Sequence, residues 1–146
     1  MHIELGLEYS TLWPGKPPQM LASDVPAWRA YREKHAGEWE KFYYNVAMTL
    51  RDFPKDWSPE RVKAATYNLG KRVDVVAYRK DLIWLIEVTD RAMVRSVGQV
   101  IVYRRLWGKL RPFKQEFEGA IICRYTDEDI IYTCEKEGIH LIVVPI

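Results

Sequence analysis

The spacing of apolar residues changes character along the chain. Trp39, Phe42, Tyr43, Val46 and Leu50 recur at i, i+3, i+4, i+7 and i+11, which is one face of a helix. This predicts a helical region over 26–50, capped by Asp24 or Ser23, with Pro26 tolerated in the first turn and Gly37 dividing it into two pieces. "DFPKDWSPE" is then a loop. "RVKAATYN" and "RVDVVAY" flank "LGK" and predict two strands of a hairpin. After the turn "RKD", the run "LIWLIEV" is nearly all apolar, as expected of a central strand covered on both faces.

The remainder predicts alternating helices and strands. "RAMVRSVGQVIVYRRLWGKL" is a helix turning Met93, Val97, Val100, Ile101 and Leu106 to the core. "FEGAIICRY" is a buried strand. "TDEDIIYTCEKEG" is a short helix with Thr126 as cap, Asp129 as its N3 acid and Gly138 at its end. "IHLIVV" is a last strand. The order helix, three strands, helix, strand, helix, strand implies an α/β fold. An antiparallel meander comes first, and two strands that follow helical crossovers then join in parallel. The sheet is mixed, with helices on both faces. Residues 1–25, with the proline-rich "WPGKPPQ", form an N-terminal arm or loop, either packed on the domain or a mobile end. Residues 26–146 form one domain.

Composition narrows the class. A chain of 146 residues, 48% apolar, suits one domain with a real core. Charged residues make up 29%, and no apolar run approaches the roughly 18–20 residues that span a bilayer. "MHIELGLEYS" lacks a basic start followed by an apolar stretch, so no secretory signal is expected. The expectation is a cytoplasmic protein with no membrane contact. Cys123 and Cys134 cannot make a four-thiolate metal site within one chain and are expected to be buried free thiols of a reducing compartment. His2, His35 and His140 show no metal spacing. A net charge of +2 does not by itself call for nucleic acid. Six Trp and nine Tyr serve core packing ahead of base stacking.

Two acids stand out because they interrupt apolar strands. Side chains alternate across a strand, so Arg72, Asp74 and Val76 are expected on one face, and Leu85, Glu87 and Thr89 on one face of the next strand. A short turn at 79–81 brings Asp74 and Glu87 side by side near one end of the sheet. Ionised carboxylates in an apolar setting need a partner. That partner is either a local base (Arg72 or Lys71 for Asp74, Arg91 for Glu87) or a divalent cation. Magnesium favours oxygen ligands, and a metal so held activates water and stabilises charge on a phosphate under attack.

The stretch "RVDVVAYRKDLIWLIEVTD" resembles the core of the PD-(D/E)XK, or restriction-endonuclease-like, nuclease superfamily, in which an Asp ends one strand and Glu-x-Lys lies in the next. The matching residues are Asp74 and Glu87. The element order α-β-β-β-α-β-α-β is similar too, and "GAIICRYTDEDIIYTCEKEGIHLIVV" resembles the closing strand–helix–strand of restriction-like and Holliday-junction-resolvase-like members. The resemblance covers roughly residues 36–146. "AGEWEKF" is similar to the family's first-helix signature, which implies Glu40, or alternatively Glu38, as a metal or water ligand. Gln99 and Tyr103 in "GQVIVYRRLW" resemble the Gln-x-x-x-Tyr motif of RecB-like nucleases; with Arg95 they form one helical stripe.

The resemblance implies a Mg²⁺- or Mn²⁺-dependent nuclease acting on DNA. Asp74, Glu87 and the backbone carbonyl of Val88 would be metal ligands, and Glu40 would hold a second ion or a water. Gln99 would position the substrate or water, supported by Tyr103. Lys71, Arg72, Arg91, Arg95, Arg104 and Arg105 would contact phosphates; Arg104 and Arg105 fit a solvated helix surface equally well. The departure is at position 89, where Thr replaces the family's lysine. A threonine hydroxyl supplies no positive charge. Either the cation comes from Arg95, Arg72 or Lys71, or a specialised enzyme manages without it, or the fold is kept for binding alone. The rival to a nuclease is therefore an inactive nuclease-fold module that binds DNA or a protein, as a homodimer or within a recombination, repair or viral assembly.

Overall fold

The computed structural model describes residues 1–145. Two short strands, β1 (His2–Glu4) and β2 (Glu8–Tyr9), are followed by helix α1 (Val25–His35) and strand β3 (Lys41–Thr49). Helix α2 (Pro59–Leu69) then leads into β4 (Lys71–Arg79) and β5 (Leu82–Val88). Helix α3 (Val94–Leu110), β6 (Glu116–Cys123), α4 (Glu128–Glu137) and β7 (His140–Val143) complete the domain. The fold is α/β, with seven strands in one mixed sheet and four α-helices among the described residues. Strand order is β1-β3-β4-β5-β6-β7, with β2 also on β3. The pairs up to β4–β5 are antiparallel; β5–β6 and β6–β7 are parallel, as a helical crossover before each requires.

Two elements differ from the sequence expectation. The helix expected over 26–50 stops at His35, and a 3-10 turn (Ala36–Glu38) leads into β3. β3 is buried on both faces: Phe42, Tyr43, Tyr44, Val46, Ala47 and Met48 are each at most 5% exposed. A strand covered on both sides loses its period of two, and this one fell by chance into helical spacing. The segment expected as a strand at 61–68 is helix α2. Ser58 caps it by accepting from Arg61 N–H at 3.2 Å, and Pro59 opens it, an arrangement suited to a helix start. The three meander strands are thus β3, β4 and β5, with α2 inserted between the first two.

Smaller corrections follow the same logic. Asp127, not Thr126, caps α4, accepting from Ile130 N–H at 3.0 Å. Gly138 ends that helix in left-handed backbone at φ 67, as expected. Met93 lies at the start of α3 and is exposed, while Val97 and Val100 are buried. Cys123 and Cys134 are buried free thiols.

The sheet divides the core in two. α3 and α4 contribute Val97, Val100, Tyr103, Trp107, Ile130 and Cys134 to one side, against Tyr43, Val76, Ile83, Leu85 and Ile121. α1 contributes Trp28 and Tyr31 to the other, against Phe42, Tyr44, Val75, Ile86 and Ile122. Trp28 is fully buried and its indole N–H donates to the Tyr44 hydroxyl at 3.2 Å. Burying a ring of this size removes roughly 200 Å² from water, on the order of 5 kcal/mol before ordering costs. The first 25 residues belong to this body: β1 and β2 pair with β3, and Met20 is buried among the α1-side residues. No helix among the described residues is long and apolar enough to cross a membrane.

Candidate functional site

Asp74 and Glu87 lie one step beyond the pair Val75↔Ile86 in the β4–β5 ladder, so they face each other across neighbouring strands. The next pair on their face, Val76 and Leu85, is buried beneath α3. The two carboxyl groups are in hydrogen-bonding contact. Val88 N–H donates to Asp74 Oδ2 at 2.8 Å, and the Tyr103 hydroxyl donates to Glu87 Oε1 at 3.4 Å. Glu87 is only 7% exposed.

This level of the sheet is irregular in three adjacent strands. The registers Tyr44↔Val75 and Val46↔Val73 leave Asn45 level with Asp74, and Asn45 adopts left-handed backbone at φ 52. The registers Glu4↔Ala47 and Glu8↔Tyr43 leave Gly6 level with Asn45, also left-handed at φ 71. Strict alternation fails here: Val73 and Val76 pack in the same cluster, although an even and an odd position should face apart. Such irregularities re-aim side chains beside functional sites.

The pair has no cation of its own. Neither acid has a salt-bridge partner among the described residues, so the local ion pairs with Arg72, Lys71 or Arg91 are not formed. Burial raises the pKa of both acids. Asp74 beside Glu87 adds to the penalty on its charge, against a smaller opposing effect from the Tyr103 hydroxyl. Asp74 is held down in part by Glu87 and by Val88 N–H. Holding one proton between them would relieve the repulsion of two facing carboxylates. Tyr103 is pushed up as well, first by burial and then by Glu87 and Asp74.

A third acid joins them that sequence spacing did not single out as a site residue. Asp24 occupies the N-cap position of α1 but makes no cap bond. Its Oδ1 accepts instead from Asp90 N–H at 3.0 Å. Its pKa is raised by burial first, opposed by that N–H, with Asp74 and Asp90 adding to the rise. The signal available in sequence was its candidacy as a cap; only the fold brings it to the pair.

The acids open into a cleft with two connected parts. The smaller, about 280 Å³, is lined by Asp24, Asp74, Glu87, Val88, Thr89, Arg91, Arg95 and Gln99. The larger, about 800 Å³, is lined by Asn45, Lys71, Arg72, Asp74, Arg95, Gly98, Gln99, Val102 and Tyr103. Gln19 and Leu21 of the N-terminal segment line both. The stripe Arg95, Gln99 and Tyr103 on α3 therefore faces the acids. Lys71, Arg72, Arg91 and Arg95 are exposed and form no salt bridge among the described residues.

Other expected residues lie elsewhere. Glu40 precedes β3, exposed, with its N–H on the Tyr78 carbonyl. Tyr78 is four residues along β4 from Asp74, roughly 13 Å at strand rise, so Glu40 is at the other end of the strand. Glu38 is bonded to His35. Both were expected on a helix facing the acids, and the helix ends before them. Arg104 donates to the Glu137 carbonyl at 2.8 Å, and Arg104 and Arg105 line a separate depression with Phe117 and Glu137. Thr89 borders the cleft, but its hydroxyl donates to the Arg91 carbonyl at 3.2 Å.

Gly98 has no structural reason to be glycine. It lies inside α3, where glycine costs about 1 kcal/mol relative to alanine. A Cβ added there would meet nothing within 4 Å. At Gly119, by contrast, a Cβ would fall 2.3 Å from Val100 Cγ1.

An oxygen-only donor set suits Mg²⁺ or Mn²⁺, which are commonly held by one or two carboxylates with waters and substrate oxygens completing the shell. Among the described residues no three acids, histidines or cysteines are gathered tightly enough to enclose an ion alone. Asp74 and Glu87 would hold it, with Asp24 near them. Comparison with family models, curated proteins and solved structures finds no match to this chain.

Proposed function

We propose that the protein is a metal-dependent nuclease of the restriction-endonuclease-like class, acting on DNA phosphodiesters. The observation that carries this reading is the convergence of Asp74 and Glu87 at a cleft whose four flanking cations form no salt bridge among the described residues. The element order β3–β4–β5, α3, β6, α4, β7 supports the same class, with α1 in the place of the class's first helix. Asp74 and Glu87 would hold a divalent ion, with the Val88 carbonyl as the third ligand that the class implies; such an ion would supply a polarised water and neutralise charge developing on the phosphate.

The chain's own residues do the rest. Val88 N–H fixes the orientation of Asp74, and Tyr103 fixes Glu87. Gln99 orients the water or the scissile phosphate. Lys71, Arg72 and Arg91 hold flanking phosphates, which positions a strand without reading its sequence. Arg95 takes the role of the lysine absent at position 89: it lines both parts of the cleft and lies close enough to lower the pKa of Tyr103.

A second reading is a nuclease-fold module that binds nucleic acid or a protein, as a homodimer or within a repair, recombination or viral assembly, and does not cut. The Thr89 hydroxyl, engaged with the Arg91 carbonyl, favours it. Incubation of the protein with supercoiled, linear and branched DNA in Mg²⁺ or Mn²⁺, beside Glu87→Ala, separates the two. Cutting lost in the variant supports the nuclease. Wild-type protein that binds DNA and never cuts it supports the second reading.

A further inference from the structure

We infer that the larger part of the cleft receives an unstacked nucleobase between Leu21 and the bare surface of α3 at Gly98, so that the substrate class is an unpaired strand or a frayed end rather than continuous duplex. The inference rests on the nuclease-class reading for the phosphates beside the base, and on three separate features for the base itself.

Leu21 is the first. It is 67% exposed, yet the chain around it is fixed. Gln19 sits in left-handed backbone at φ 63, and Met20 is buried with its N–H on the Pro17 carbonyl at 3.2 Å. The Leu21 carbonyl accepts from Asp24 N–H at 2.9 Å, which fastens it to the start of α1. A leucine left two-thirds exposed beside an acid pair gains little from burial in the free protein. Apolar side chains presented this way act as wedges between bases.

Gly98 is the second. It lines the same cleft as Leu21, and its missing side chain relieves no contact within the protein. A helix keeps such a glycine where a flat group must approach its backbone closely. Val102, one turn on and 39% exposed, continues the apolar wall.

The third is charge. Lys71, Arg72 and Arg95 border the same space, exposed and without salt bridges among the described residues. Apolar surfaces for a base face beside cations for the backbone make the combination by which unpaired strands are bound. In a continuous duplex, base faces are stacked and cannot enter.

The test is binding of a fluorescein-labelled 15-nucleotide single strand and of the matching blunt duplex by the full chain, in Ca²⁺ and without metal. A single strand carrying 2-aminopurine reports unstacking. The expected result is single-strand binding about ten-fold or more tighter than duplex, with a change in 2-aminopurine emission. Gly98→Leu, whose Cβ meets no atom within 4 Å and whose longer side chain occupies the slot, should weaken single-strand binding about ten-fold. Its Mn²⁺ affinity should stay at the wild-type value and its melting temperature should not fall, as a helix-interior glycine is being replaced, and Leu21→Ala should abolish the emission change. Equal affinity for duplex, or undiminished binding by folded Gly98→Leu, would overturn the inference. If Mn²⁺ binds and duplex is cut as fast as single strand, the nuclease reading stands and this inference falls. If single strands bind in the slot but no metal binds, the inference stands and the nuclease reading falls.

Discussion

Val88 N–H donates to Asp74 Oδ2 at 2.8 Å, so the residue after Glu87 holds the carboxylate that Glu87 faces. The two carboxyl groups are in contact, and neither has a salt-bridge partner among the described residues. Two acids held in contact by their own strands, partly removed from water, are a costly arrangement for an apoprotein.

Without metal, stability should fall as pH rises. Burial and the neighbouring Asp74 push Glu87 up to about 10 from an ordinary 4.5. The folded state then binds the proton more tightly than the unfolded chain, so stability is greatest below about 4.5 and is lost progressively up to about 10. Glu87→Gln removes that proton dependence. Its melting temperature in EDTA should match wild type near pH 4 and exceed it at pH 8, by an amount equivalent to a few kcal/mol. Thermal melts across pH check this; parallel curves for the two proteins would refute it.

The cation at position 95 is separable from the threonine at 89. Arg95→Ala should reduce cleavage on the order of 10²–10³-fold, the usual loss of one well-placed electrostatic stabiliser. Thr89→Lys in the Arg95→Ala background should restore part of that rate. Single-turnover cleavage measures both, and wild-type rates for Arg95→Ala would remove it from the mechanism.

Salt dependence should count the cleft cations and ignore the others. Four contacts from Lys71, Arg72, Arg91 and Arg95 predict a slope near −3 for log affinity against log salt on single strands, at about 0.7 per phosphate. Arg95→Ala should lower the magnitude of the slope by about 0.7. Arg104→Ala and Arg105→Ala should leave it unchanged, since they lie in the depression beside Glu137.

Two glycines should respond oppositely to alanine. Gly119→Ala forces a Cβ within 2.3 Å of Val100 Cγ1 and should destabilise by about 1–3 kcal/mol, loosening α3 and with it Tyr103. Gly98→Ala meets no atom and should stabilise by about 1 kcal/mol. Denaturant melts of the two variants test the claim that α3 is close-packed on β6 and bare toward the cleft.

Much of this was legible in the chain, and the gaps have physical causes. α3 carries a helical period, α4 a cap and a terminal glycine, and β5, β6 and β7 are apolar runs between turn signals; the spacing of Asp74 and Glu87 across the turn at 79–81 anticipated their contact. β3 carries helical spacing because a strand buried on both faces has no alternation to detect. α2 carries Val62, Thr66 and Tyr67, residue types that suit strands, behind the helix-start signature Ser58-Pro59-Glu60. Glu40, expected on a helix near the acids, therefore stands at the far end of β3. Leu21 and Asp24 were invisible as site residues because the segment that carries them is brought there only by the pairing of β1 and β2 with β3.

Everything proposed for the cleft requires Asp74 and Glu87 together to hold one divalent cation. Calorimetric titration of Mn²⁺ into metal-free protein at pH 8 measures this, with proton release followed in two buffers of different ionisation enthalpy. One site per chain is expected in the wild type, with proton release on binding, and no binding in Glu87→Gln or Asp74→Asn. Silence in the wild type, or equal heats from wild type and both variants, would contradict it.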